Sequence, residues 1–362
     1  MILIIALVVL ILLKVSMLKE EIYVNNTISS HNSNTLVENY LVQQTPIDGG
    51  KLFSDTYKNK QLKKNNNKLV KQNFFGVYVG IKNDHIIFTG QNGRANVSLG
   101  SAYKLHSVMM IGRYQEFLNN AMIISLASKH EINLDKKLST YLPGINTGDL
   151  SVEEFLINGS SLFVSRKNAN NVSLLPANNY HALKLSKTKL QGSISADNLV
   201  KCLLLSKVRD ESYLKAFKHL AIDKMNLNNV DFNMSNSNEV NQILSYHARN
   251  KDIAKMRVIK INDSASGLNN IKMSIADVLS SFNSIYKNNY FDKKYNNIFM
   301  KSIVNSGLAT KSGSVLVLSA GAYGQEFTIK YSQKYSKYLF SFVNVKDEKN
   351  IMTELQNLYN LL

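Results

Sequence analysis

Residues 113–129, RYQEFLNNAMIISLASK, constrain this chain more than any other stretch. Leu118, Ala121, Met122, Ile123, Leu126 and Ala127 place apolar side chains nearly all round a helix. Such a helix has no face to offer water, so it belongs in the middle of a domain. The chain has 362 residues, 44% hydrophobic and 19% charged, which is enough to bury it. Yet Arg113 and Glu116 stand one helical turn apart where this segment begins, directly after Ile111-Gly112.

The strands around it suggest one unit. FFGVYVGI and HIIFTG are β-rich runs joined by Lys82 to Asp84, a hairpin signal. Near the other end, EFTIK and YLFSFVNV read as strands. Asp347 can then cap a helix with Ile351, Met352, Leu355, Leu358, Tyr359 and Leu362 on one face. Strands at both ends flank a mostly helical middle, so both ends must share one sheet with the last helix packed on it. Residues 74–362 are expected to form a single α/β domain with a helical insertion.

The segment before that domain reads differently. Residues 2–13 are all apolar, Lys14 interrupts, and the apolar character resumes to Leu18. The length approaches the ~20 residues needed to span a bilayer. With no basic region before it and no small-x-small site after it, residues 1–18 read as an uncleaved membrane anchor; a cleaved signal is the alternative. Residues 19–73 are low in apolar content and end in a basic, Asn-rich run. They read as a tether.

The formal net charge is +17, carried by lysines without a long Arg-rich run or a nucleic-acid motif. That excludes nucleic acid as the expected partner: the charge reads first as lysine bias spread over a solvated surface, and otherwise as attraction to an anionic cell-envelope polymer, with a protein as a further partner besides the membrane at residues 2–18. The lone Cys202, inside LVKCLLL, can form no intrachain disulfide and reads as a core residue. Seven scattered histidines, without metal-ligand spacing, predict no metal, and nothing points to a cofactor.

Six landmarks, in order, resemble the serine β-lactamase and penicillin-binding-protein-like hydrolases, in the branch of class C β-lactamases, D-alanyl-D-alanine carboxypeptidases and related esterases. They are GQNGRAN after the first hairpin, INLD and YLP (residues 132–135 and 141–143), LSVEEFLINGSSL (150–162), ESYLKAFKHLAIDKMNLNNVDF (211–232), SASGLNNIKMSIADVL (264–279) and SAGAYGQEF (319–327). The resemblance implies a β-lactamase/transpeptidase-like fold: an antiparallel sheet flanked by helices, plus a helical lobe. It puts the Arg113 helix at the centre, its first turn at the floor of an interlobe cleft. With the N-terminal anchor, it implies an extracytoplasmic domain.

The family's chemistry uses a Ser and a Lys at i and i+3, where the amine takes the hydroxyl proton. A Tyr-x-Asn motif and a Lys/His-x-Gly edge strand complete the site. Counting back from INLD, the Ser and Lys positions fall on Arg113 and Glu116. The Tyr-x-Asn motif falls near Ser193-Ile194-Ser195, and the edge triplet falls on Ser319-Ala320-Gly321, where the glycine alone remains. Arg is neither a nucleophile nor a base. The resemblance therefore implies a catalytically inactive relative with a binding or scaffolding role. Arg113 and Glu116 read either as a satisfied surface pair or as an altered pocket for an anionic ligand. The competing reading is a live hydrolase through the literal Ser101-x-x-Lys104 and Lys311-Ser312-Gly313. That would need residues 101–112 to lengthen the central helix by about three turns.

Overall fold

The computed structural model describes residues 60–83, 85–165, 185–232, 242–249, 252–258, 271–287, 290–346 and 351–362. The anchor segment 2–18, Asp347 and SASGLNN of the fifth landmark lie outside them. Among the described residues no helix is long and apolar enough to cross a membrane.

Helix α1 (Lys60–Lys71) leads into the hairpin β1 (Gly76–Lys82) and β2 (His85–Asn92). Short strand β3 (Val108–Met110) precedes the central helix α2 (Tyr114–Ser128). The insertion follows: α3 (Leu138–Tyr141), α4 (Val152–Asn158), β4 (Phe163–Ser165), β5 (Ser193–Ser195), α5 (Asp197–Arg209) and α6 (Tyr213–Phe217). A π turn, Lys218–Ile222, continues α6 into Asp223–Met225. Then come β6 (Val230–Asp231), β7 (Tyr246–Arg249), β8 (Asp252–Val258), β9 (Lys272–Ser274), α7 (Ile275–Lys287) and α8 (Asn296–Asn305). Strands β10 (Ala309–Ser312), β11 (Val315–Ala322), β12 (Gln325–Ser332), β13 (Lys337–Val343) and β14 (Val345–Lys346) lead to α9 (Met352–Asn360).

The main sheet has the order β10-β11-β12-β13-β1-β2, antiparallel throughout. β1 pairs with β13, so the two chain ends share one sheet as the strand pattern implies. Alternation gives this sheet two apolar faces. Val77, Val79, Phe327, Ile329, Phe340 and Phe342 join the main core around α2. Tyr78 and Leu339 point the other way, under α1 and α9. Helix α2 is buried on every side, and its Phe117 meets Phe282, Tyr286 and Phe299 of α7 and α8.

One boundary differs from the sequence reading. The folded domain includes residues 60–71, which the sequence reading had placed before it: they form α1 on the outer face of the sheet. Leu62, Asn65, Asn66 and Leu69 are buried, at i, i+3, i+4 and i+7. The helical period is there, but half of it is carried by asparagine. Tyr78 accommodates Asn66 by donating its hydroxyl to Asn66 Oδ1 at 2.9 Å.

Candidate functional site at the start of the central helix

The path into α2 is set by two glycines. Gly112 has φ +50, and a Cβ there would lie 1.9 Å from the Gly321 carbonyl oxygen. Gly321 has φ +137, and its Cβ would lie 2.1 Å from the Gln325 carbonyl oxygen. The two residues form a parallel β-bridge, so the backbone entering α2 touches the end of β11. Only residues without a Cβ permit that approach.

Arg113 and Glu116 project from the turn that follows. Arg113 Nη2 donates to Glu116 Oε2 at 3.1 Å and to the Ser306 carbonyl at 2.8 Å. The second Glu116 oxygen, Oε1, accepts from Lys201 Nζ at 2.8 Å. The Lys201 side chain is 2% exposed, that of Glu116 9% and that of Arg113 46%. Glu116 is therefore not half of a surface pair. It is a buried carboxylate between two cations, with both oxygens engaged and a net charge of +1 for the three. Lys201 Nζ also lies 5.9 Å from the Phe155 ring centroid.

Lys201 is aimed by α5, and α5 is anchored at its first residue. Asp197 Oδ1 accepts from the Ser160 hydroxyl at 2.6 Å and the Ser160 amide at 2.7 Å. Its Oδ2 accepts from Ser195 Oγ at 2.9 Å. Lys201 follows at i+4, one turn along the same face. Ser193 turns away, its hydroxyl donating to the Leu190 carbonyl. Beneath the charges lies a second buried layer. Gln115 donates to the Tyr213 hydroxyl, which donates to Asn119, which donates to Asn198 and Cys202. Burial pushes the Cys202 thiol up to about 12, so it is a neutral group and not a ready nucleophile.

Three comparisons bear on this arrangement. No family model matches the chain. Over 291 residues it is 21% identical to the teichoic acid D-alanine hydrolase of Staphylococcus aureus, covering 75% of this chain and 72% of that one. The crystal structure of FmtA from Staphylococcus aureus superposes with a TM-score of 0.65 at 17% identity, covering 91% of this chain and 95% of that one. A class C β-lactamase from Rhodobacter sphaeroides superposes with a TM-score of 0.58 at 11% identity, covering 83% and 98%. The chain has the penicillin-binding-protein and class C β-lactamase-like fold.

Within this β-lactamase-like fold the remaining sequence candidates fall in different places. Ser101 sits in a bridge to Asn96, its carbonyl accepting from the Ala95 amide. Lys104 is exposed, and β3 rather than helix occupies the stretch before Arg113. Ser101 and Lys104 thus do not start a helix, and α2 is not extended by three turns. Lys311, on β10, lies opposite Leu316, five strand residues from Gly321 and so roughly 17 Å away along β11. Ser319 is exposed, with its hydroxyl 3.4 Å from that of Thr328 on the outer face of the sheet. Gly321 meets the first turn of α2 through its backbone.

Sequence reasoning passed over Lys201, Asp197, Ser160 and the Ser306 carbonyl. Lys201 had left a signal: it is the one charge inside the apolar run LVKCLLL. A lysine on a buried helical face needs a carboxylate, and Glu116 at the head of the other buried helix was its natural partner.

Proposed function

We propose that this chain is a non-catalytic relative of the serine hydrolases that share its fold, with a binding or scaffolding role at the cell envelope. The supporting observation is the Arg113–Glu116–Lys201 cluster. It occupies the first turn of the central helix, where the family resemblance places a serine nucleophile and its lysine base. A guanidinium stays protonated and attacks nothing. Glu116, with both oxygens held by cations, has no hydroxyl to deprotonate. What the cluster retains is one half-exposed cation, Arg113, beside the strand end at Gly321, and this guanidinium is the group that binds an anionic ligand. The envelope setting draws on residues 2–18 as an anchor, with the folded domain on the extracytoplasmic side. It also draws on the likeness to the teichoic acid D-alanine hydrolase of Staphylococcus aureus.

The test is covalent labelling of the full chain with a fluorescent penicillin and with a fluorophosphonate. The expected result is no adduct with either reagent under conditions that label an active serine hydrolase. An adduct that disappears in Ser101→Ala would instead establish a live hydrolase.

A further inference from the structure

The other end of the central helix borders a cavity. Helix α2 is 15 residues long, so its last turn stands roughly 22 Å from Arg113 at 1.5 Å per residue. Beyond that turn His130 has a left-handed backbone, φ +62, and the Glu131 amide donates to the Leu126 carbonyl at 3.0 Å. The chain then passes through INLD and runs beside the start of α4. There the Glu153 amide donates to the Leu134 carbonyl and the Val152 amide to the Lys136 carbonyl, both at 2.9 Å. These two segments, the end of α2 and the start of α8 enclose a cavity of about 340 Å³.

Its lining joins apolar walls to two acids. Ala127, Ile132, Leu134 and Ile298 contribute the walls, with the ring of Tyr295. The Tyr295 hydroxyl donates to the Ala127 carbonyl at 3.4 Å, which fixes that ring against the end of α2. Asp135 and Glu153 supply the carboxylates, the first exposed and the second half-buried. Among the described residues neither forms an ion pair. Two flanking lysines are committed elsewhere: Lys137 pairs with Asp149 at 2.7 Å, and Lys129 meets Lys224. The C-terminal end of α2 adds partial negative charge, and its last turn holds no basic side chain. His130 also lines the cavity, yet among the described residues no three such groups converge closely enough to hold a metal ion.

We propose that this cavity binds a small aliphatic amine as its ammonium ion, with Asp135 and Glu153 meeting the charge and the apolar walls covering the hydrocarbon. Charge complementarity selects a cation. A primary ammonium brings three N–H donors to carboxylates that only accept. A quaternary ammonium brings none and relies on open aromatic faces. Tyr295 is the one ring lining the cavity among the described residues, and Lys294 Nζ already lies 4.9 Å from its centroid. The volume is at the small end of ligand cavities, which run from about 300 to 1,000 Å³, so it suits a short stem. The site goes beyond the reading of the Arg113 cluster and stands without it.

The experiment uses the full chain in detergent micelles and n-butylammonium chloride as the probe, with heats read by titration calorimetry against micelles alone. Saturable one-site binding is expected. Tetramethylammonium, which lacks N–H donors, and n-butanol, which lacks the charge, should each bind about tenfold more weakly or worse. Asp135→Asn/Glu153→Gln should weaken n-butylammonium by a similar factor. Asp210→Asn/Glu326→Gln removes the same charge from exposed sites elsewhere and should bind as wild type does. Asp135→Asn alone, in an exposed loop, reads the charge without altering a helix. Ile298→Trp fills the cavity without touching a charge and should abolish binding, with circular dichroism confirming its fold. The proposal is overturned if the wild type takes up no n-butylammonium, if tetramethylammonium or n-butanol binds equally well, if the two charge-removing doubles lose affinity equally, or if Asp135→Asn or folded Ile298→Trp binds normally.

Discussion

The two charged clusters of this molecule handle lysine in opposite ways. At the start of α2, Lys201 is buried and satisfied: its ammonium donates to one Glu116 oxygen at 2.8 Å, and Arg113 donates to the other. At the hairpin end of the main sheet, Lys82 of β1 faces Lys337 of β13 with no carboxylate partner among the described residues; Lys337 donates to the Tyr359 carbonyl at 3.2 Å and lies over the Tyr359 ring, and Lys330 donates to Gln356. Burial explains the difference. An unpaired ammonium is very costly in a core, whereas at a surface it costs a fraction of a kcal/mol. Removing a cation should therefore damage the first cluster and relieve the second.

The largest effect is expected from Lys201→Met. It strands a buried carboxylate, which should cost about 3–5 kcal/mol in urea unfolding. Lys201→Met/Glu116→Met should recover most of that loss, because two buried charges are replaced by apolar volume. A cost below about 1 kcal/mol for the single variant would break the comparison, since Lys201 would then behave as a surface lysine.

Gly112→Ala comes next. It combines a left-handed backbone, about 1–2 kcal/mol, with a Cβ driven onto the Gly321 carbonyl, where a further ~1–3 kcal/mol is typical of overpacking. Thermal unfolding measures the sum. A loss under 1 kcal/mol would mean that the approach of β11 to α2 is loose and that Arg113 is not held by it.

Arg113→Gln separates the half-exposed member from the buried pair. Lys201 still neutralises Glu116, so the expected cost is about 1 kcal/mol or less. Arg113 and Lys201 would then differ by several-fold at the same carboxylate, which distinguishes a cation free to meet a ligand from one committed to the core.

These contrasts also explain what the sequence disclosed. The β1–β2 hairpin, helix α2 and the sharing of one sheet by both chain ends were legible, because each is written in local period or in a turn. Helix α1 was hidden because Asn65 and Asn66 fill core positions in a run that reads as low complexity. The suitability of Asn66 depends on Tyr78, whose position is set by tertiary contact. At the site, Arg113 and Glu116 were found by counting from a landmark, and their spacing foretold an ion pair. Its third member was not found, because the register of α5 against α2 is fixed by packing over some eighty residues of intervening chain. The capping serines of Asp197 come from two segments joined only in the fold.

The smallest effect expected is also the one with the opposite sign. Lys82→Gln removes one of two ammoniums that stand directly opposite each other on adjacent strands. Like charges in that position destabilise by roughly 0.2–1 kcal/mol, so the variant should gain a few tenths of a kcal/mol in low salt, and the gain should shrink as salt screens the repulsion. Proton linkage gives an independent check on sign. Lys330 and Lys337 have folded values below the ordinary lysine value. Between the folded and unfolded values the unfolded chain therefore holds more protons, and stability rises with pH through that alkaline window. Lys82→Gln removes the ammonium that lowers Lys337, so it should flatten the rise, while Arg113→Gln, at the other cluster, should leave it unchanged. If Lys82→Gln instead destabilises the fold at low salt, the hairpin-end lysines are structural, and the contrast between a sealed cluster and an open one fails at its open end.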